Sequence, residues 1–305
     1  MNIFIETKYF ISDLKNFLNP KYKFVRSKLN LTLRANALRI IIFRIPNLLF
    51  RFFNNSRIKN FINSNKDFYI SKNHEYFTTN ININEEEILN ILNNLGECSN
   101  AGAVLKSKGG EESIIIDKKN SYAKIFKLNK FNQQNQRKFF GYENLDKISK
   151  FCSILYGCKI YQDDINFNLI KTKGENSNSY WHSDNFCPVI KGYLCLKEIT
   201  KDDSPFEFSE GSIRVGFLDK IYNNWALYKF KEKSSSPRIV DKNLLPLLEH
   251  KKISMIGKKG FLYVANTSGL HKKGSDNSGK ERLLLSFEVK RFGLAKKIKR
   301  SFYLI

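Results

Sequence analysis

From Ile114 onward the chain is cut into short pieces. Apolar runs such as Ile114-Ile115-Ile116 and Ala123-Lys124-Ile125-Phe126 stop at turn residues, and strand-like alternation recurs at 159–171, 191–198, 206–208, 260–265 and 282–290. A strand presents its side chains to two faces with a period of two, so each run can cover one half-buried strip of sheet. Short strands at this spacing, without strand–helix alternation, argue for a β-sandwich or jelly roll and against a parallel doubly wound sheet. One helix is expected at 140–156. The stretch 219–249, with its Ser234-Ser235-Ser236-Pro237 loop, reads as an insertion of the kind that lines the mouth of a barrel site.

The flanks have a different texture. Residues 1–112 read as a basic, helical region packed on a core at 113–291, and residues 292–305 as a basic C-terminal tail. The first 60 residues carry twelve Lys or Arg against Glu6 and Asp13. A helix is expected to begin at Asn84, where Glu85-Glu86-Glu87 put acids in the first turn, and to end at Gly96. Earlier, Arg44 and Arg51 lie seven apart and share a helix face, while Ile42, Ile45, Leu49 and Phe52 can cover another. Such a helix rests on a protein core, the plainer expectation, or on a membrane surface. It does not span a bilayer, because Arg39, Arg44, Pro46 and Arg51 interrupt the roughly 20 apolar residues a span requires. After Glu288 there is no acid, while Lys290, Arg291, Lys296, Lys297, Lys299 and Arg300 mix with Phe292, Leu294, Ile298 and Phe302. Two basic, aromatic ends raise contact with an anionic membrane surface as an expectation.

Composition sets the outer bounds. A hydrophobic content of 42%, with 26 Phe and 14 Tyr in 305 residues, belongs to a folded globule of one large or two smaller domains. Five cysteines with no CxxC pair suit a reducing compartment, and the first residues lack the features of a secretory signal, so the expected location is cytoplasmic or peripheral at a membrane. The net charge of +23 and pI near 9.7 leave two readings open. One is attraction for nucleic acid, anionic lipid or an anionic substrate; the other is the Lys-, Asn- and Ile-rich composition that an AT-rich genome encodes.

Chemistry concentrates in Tyr180-Trp181-His182-Ser183-Asp184 and in Gly269-Leu270-His271 with Arg282. On an extended strand His182 and Asp184 point the same way, about 7 Å apart. A third ligand from His271 would give two nitrogens and one carboxylate on one side of a metal. That facial arrangement suits non-haem Fe(II) and leaves positions open for O2 and a co-substrate. Eleven residues past His271, Arg282 could fork onto a carboxylate. The bland alternatives are a hydrogen-bonded His182–Asp184 pair and an Arg282 ion pair with Glu281 or Glu288. His74 and His250 have no partner spacing and read as structural, Trp181 as core filler or a lid, and Lys272-Lys273 as a solvated loop that could meet an anionic substrate.

These residues resemble the phytanoyl-CoA dioxygenase-like branch of the Fe(II)- and 2-oxoglutarate-dependent oxygenases. The likeness covers roughly residues 115–290. It runs through Trp181-His182-Ser183-Asp184, the turn Ser209-Glu210-Gly211-Ser212, and His271 with Arg282, with Ile213 standing where the family usually has a His. The resemblance implies an α+β fold: a double-stranded β-helix (jelly-roll, cupin-like) core with flanking helices and a basic helical N-terminal extension. It implies that His182, Asp184 and His271 are the catalytic metal ligands for Fe(2+), that Arg282 binds the far carboxylate of 2-oxoglutarate, and that Tyr193 is a further co-substrate contact. The implied reaction is hydroxylation with release of succinate and CO2; Asp184 speaks against halogenation, since family halogenases have Gly or Ala there.

Three functions compete. The first is a hydroxylase of a small-molecule or glycan- or lipid-linked anionic substrate. The second is a non-catalytic binding or membrane-surface module that kept the fold. The third, a nucleic-acid dealkylase, ranks low, because such enzymes carry a second Arg six residues beyond Arg282, where this chain has Glu288. Oligomeric state is left open.

Overall fold

The computed structural model describes residues 28–83, 105–107, 110–118, 121–127, 133–174, 179–184, 188–213 and 251–305, apart from isolated positions 11 and 86. The elements run α1 (Lys28–Ser64), β1 (Tyr69–Ile70), β2 (Tyr76–Asn80), β3 (Leu105–Ser107), β4 (Gly110–Lys118) and β5 (Ser121–Lys127). Then come α2 (Gln133–Phe140), α3 (Tyr142–Tyr156), a 3-10 turn at Gln162–Asp164, β6 (Ile165–Lys173), β7 (Ile190–Cys195) and β8 (Phe206–Ser209). The chain closes with β9 (Lys252–Met255), β10 (Phe261–Asn266), β11 (His271–Lys273), β12 (Arg282–Val289) and α4 (Leu294–Ser301).

All strand pairs are antiparallel. A nine-stranded sheet has the order β1-β2-β10-β7-β12-β6-β5-β4-β3, and a three-stranded sheet has the order β11-β8-β9. A bridge between His182 and His271 adds one more short rung beside β11. Counted along the chain from β6, with the His182 rung second, the central strands of the large sheet read first-eighth-third-sixth. The small sheet reads second-seventh-fourth-fifth. That order is a double-stranded β-helix, a jelly roll whose two sheets face each other and which β1–β5 extend at both edges.

The two faces of the large sheet differ as strand alternation requires. On β12, Leu283, Leu285, Phe287 and Val289 join Phe151 of α3 and Phe50 and Ile58 of α1 in the main apolar core. Fully burying each such side chain contributes about 1.5–3 kcal/mol. The other face, with Leu284, Cys195 and Tyr263, packs against Phe206, Phe208 and Met255 of the small sheet and encloses the barrel interior.

Several local features depart from the sequence reading. The helix expected at 140–156 is α3, which starts at Tyr142 because Gly141, with φ 75°, separates it from the additional helix α2; glycine takes that left-handed conformation without penalty. The strand expected from 159 begins only at Ile165, because Gln162–Asp164 forms a turn that Asp164 closes on the Tyr161 amide. Helix α1 does rest on the core, through Phe50 and Ile58, but Arg44 and Arg51 are buried with them, whereas Ile45 and Phe52 of the expected apolar face are exposed. Lys272 and Lys273 lie in β11 instead of a solvated loop, with Lys273 buried and donating to the Gly174 carbonyl. The helix expected at 84–96, the 219–249 insertion and His250 lie outside the described residues. Cys152, Cys158 and Cys195 are free and buried.

Arg51 is tied down by His74, whose Nδ1 lies 2.9 Å from its Nη1. Since guanidinium only donates, His74 accepts there and is neutral. Burial, with the Arg51 charge beside it, lowers the His74 pKa from 6.5 to about 2. The unfolded chain then binds more protons below pH 6.5, so stability falls with acidification, by up to about 1.36 kcal/mol per pH unit from this group. His74→Asn keeps an acceptor on Cγ and tolerates the positive φ of 51° at this position. Chemical denaturation between pH 7 and about pH 4 is expected to show a shallower loss of stability in this variant; equal slopes would remove His74 as a source of acid lability.

Candidate metal centre

His182 and His271 sit directly opposite each other. The His182 amide donates to the His271 carbonyl at 2.9 Å, and the His271 amide returns the bond at 2.8 Å. Side chains of such a pair leave the sheet on the same face about 5 Å apart, and here the ring centroids are 4.4 Å apart. Asp184 reaches that face two residues on, its amide held by the Thr267 carbonyl at 2.9 Å. One ligand atom from each of His182, Asp184 and His271 falls within 4.8 Å of the other two.

The imidazoles are set for coordination. Each Nδ1 faces a backbone carbonyl, Tyr180 O at 2.7 Å for His182 and Gly269 O at 3.0 Å for His271. Those carbonyls accept, so the proton belongs on Nδ1 and the Nε2 lone pairs turn towards Asp184, the usual way a protein orients metal-binding histidines. The Nε2 atoms lie 4.0 and 3.7 Å from the Asp184 carboxylate. That is too long for hydrogen bonds, which disposes of the plain His182–Asp184 pair and leaves room for an ion between the three groups.

Lys191, which the sequence reading missed, stands behind Asp184. Its Nζ is 2.8 Å from Asp184 Oδ2 and 4.0 Å from Glu288 Oε2. Burial pushes the Asp184 pKa up, but His271, when its ring is protonated, and the Lys191 ammonium hold it well below the usual carboxylate range. Burial likewise works against the charge on Lys191, yet Tyr193, Asp184 and Glu288 raise its pKa overall.

The loop carrying His271 is braced on three sides. Asn266 Oδ1 accepts from the amides of Val189 and Ser268 and from the Ser268 hydroxyl. Ser212, from the Gly-Ser turn, accepts the Leu270 amide at 2.7 Å. A Cβ on Gly269 would stand 2.8 Å from the Phe208 ring and 2.9 Å from Ser212 Oγ, so only glycine fits. The Phe206 ring stacks on His271 with centroids 5.3 Å apart. Ile213 packs against the same inner cluster.

Arg282 sits on the interior face of the large sheet at the end where it pairs with Thr172. Its Nε donates to Thr172 Oγ1 at 3.2 Å, and Nη1 to the Ser204 carbonyl. Glu288 is instead partnered by Lys191 and Arg291, so the surface ion pair considered for Arg282 does not form with it. Tyr193 faces Tyr263 across β7 and β10 with ring centroids 5.2 Å apart. Tyr263, also missed in sequence, is buried, and its hydroxyl has no hydrogen-bond partner among the described residues. Burial raises the pKa of both tyrosines, so both are neutral donors. Only the pairing of β7 with β10 and β12 reveals Lys191 and Tyr263 as neighbours of the site. Trp181 alternates with His182, faces away from the metal-binding groups and lies under Lys272 Nζ, so it is no lid.

No protein-family model matches the chain, and no curated protein does. Among solved structures, it is similar to the epimerase SnoN in complex with Fe3+, alpha ketoglutarate and nogalamycin RO, at 9% identity and a TM-score of 0.43, covering 80% of this chain and 90% of that one. It is also similar to EctD from S. alaskensis with bound Fe, at 14% identity and a TM-score of 0.43, covering 72% and 74%. The fold assignment rests on the strand pairings themselves.

Removing the Ser212 hydroxyl would leave the Leu270 amide unpaired next to a metal-binding histidine. Ser212→Ala is expected to weaken Co(II) binding by about tenfold or more in a spectroscopic titration of the full chain; an unchanged affinity would mean that the turn does not position His271.

Proposed function

We propose that the protein is an Fe(II)- and 2-oxoglutarate-dependent dioxygenase that hydroxylates a small-molecule or glycan- or lipid-linked, anionic substrate. The single observation that carries this reading is the convergence of His182, Asp184 and His271 within 4.8 Å, with both imidazole Nδ1 atoms committed to backbone carbonyls. Two nitrogens and one carboxylate on one side form the donor set that suits non-haem Fe(II) and leaves coordination positions for other ligands.

With both groups bound, iron and co-substrate would supply the oxidising power: O2 is consumed as 2-oxoglutarate loses CO2 and becomes succinate, and the second oxygen atom enters the substrate as hydroxyl. The chain's own residues do the rest. Arg282 is permanently charged and suited to pairing with the far carboxylate of the co-substrate. The Tyr263 hydroxyl, buried with no partner among the described residues, and Thr172 add donors on the same interior face. Tyr193 contributes an aromatic wall beside them. Lys191 holds one oxygen of Asp184 and so fixes how that carboxylate presents the other. Burial of both imidazoles keeps bulk water from the reacting centre. An anionic substrate is supported by the net charge of +23.

Two substitutions test the reading. Asp184→Ala is expected to lower iron- and 2-oxoglutarate-dependent succinate formation by about a hundredfold or more while the far-ultraviolet spectrum is unchanged; turnover at the original rate would refute the triad. Arg282→Ala removes one partner of a charge pair, a loss of about 2 kcal/mol or more. That corresponds to a roughly thirtyfold rise in the 2-oxoglutarate requirement, with little change in the requirement for iron. An unchanged requirement would place the carboxylate elsewhere.

A further inference from the structure

Helix α1 packs Phe50 and Ile58 into the main core but leaves large apolar side chains on its outer side. Arg44 and Arg51 are buried, and Arg51 is engaged by His74 and the Ile154 carbonyl. On the outer side Ile45 and Phe52 lie seven residues apart on one stripe, with Phe52 67% exposed, and Phe53 lies beside it. The C-terminal segment enlarges this surface. Phe53 meets Phe302 with ring centroids 5.1 Å apart, and Asn54 clamps the segment by donating to the Tyr303 carbonyl and accepting from the Ile305 amide. Phe302, Tyr303 and Leu304 are nonetheless each more than two-fifths exposed. The result is a contiguous aromatic and aliphatic patch shared by two elements of the fold, held in place by hydrogen bonds to a buried asparagine. A patch of this kind marks a docking surface.

Both helices contribute only basic charge to its rim. Arg57 and Lys59 of α1 and Lys296 and Lys299 of α4 are exposed, and neither helix contains an acid. Lys159 adds to it, donating to the Leu304 carbonyl.

We propose that this surface seats the protein on an anionic lipid bilayer, with Phe52, Phe53, Phe302 and Leu304 entering the headgroup–acyl boundary and the surrounding lysines and Arg57 meeting lipid phosphates. Apolar side chains bounded by basic ones are what an interfacial helix requires. Among the described residues no helix is long and apolar enough to cross a membrane, so the contact is peripheral. The chemistry disfavours other occupants. A second copy would bring one acid-free basic face against another. A nucleic acid offers phosphates to the rim but nothing to cover the exposed aliphatic side chains of Ile45 and Leu304. The inference is independent of the metal centre, which lies on the opposite face of the large sheet.

The test is co-sedimentation of the full chain with vesicles of phosphatidylcholine, with and without about one-third phosphatidylglycerol, at about 0.15 M salt. Binding to the anionic vesicles is expected, with partitioning lowered about fivefold by each of Lys59→Gln and Lys299→Gln. Phe52→Ser combined with Phe302→Ser should lower it by about tenfold or more. Both phenylalanines are solvent-facing, and an unchanged thermal midpoint would show that the variant is folded. Equal partitioning onto neutral and anionic vesicles, or full binding by the Phe variant, overturns the proposal. So does a dimer in sedimentation velocity that the Phe substitutions dissolve, or duplex DNA binding that depends on Phe52.

Discussion

The reciprocal backbone hydrogen bonds between His182 and His271 are the constraint on which the rest depends. They join points 89 residues apart in the chain, close the small sheet on its His182 side, and put two imidazoles on one face at a separation that an ion can bridge. The elements around them serve that seam. Asn266 folds the loop before His271, Ser212 pins Leu270, and the Thr267 carbonyl holds the Asp184 amide.

The same strands perform two tasks on their two faces. Towards the helices they present Leu, Phe and Val, and there the burial of apolar area stabilises the fold. Towards the interior they present Lys191, Tyr193, Tyr263, Arg282 and Ser286, groups that cost free energy to remove from water unless they are paired. A buried ion pair such as Lys191–Asp184 contributes little net stability. Its placement behind the carboxylate that stands with His182 and His271 gives it a positional task instead.

What could be read in the sequence divides along physical lines. Strand alternation and turn residues are local, so most strands from β6 to β12 could be placed. The spacing of His182, Asp184, His271 and Arg282 was visible because period-two geometry and a known pattern coincide. Lys191 and Tyr263 were invisible because their roles come from cross-strand register, which no single segment encodes. The arginines and the apolar stripe of α1 were also legible as two faces. Periodicity separates faces but does not say which one meets protein, and here His74 and the Ile154 carbonyl draw the arginine side inward. Helix α3 was legible to within two residues, whereas the short α2 before Gly141 was not.

The pairing of β8 with β9 has an architectural consequence. Ser209 faces Lys252, and the Glu210 amide donates to the Lys251 carbonyl at 3.0 Å, so both ends of the intervening segment are anchored by the sheet. The entropy of closing a loop grows only logarithmically, by about 0.6 kcal/mol for each doubling of its length. The register of the frame that gathers His182, Asp184 and His271 is therefore set by the paired strands on either side of that segment, and depends only weakly on the length of chain that joins them.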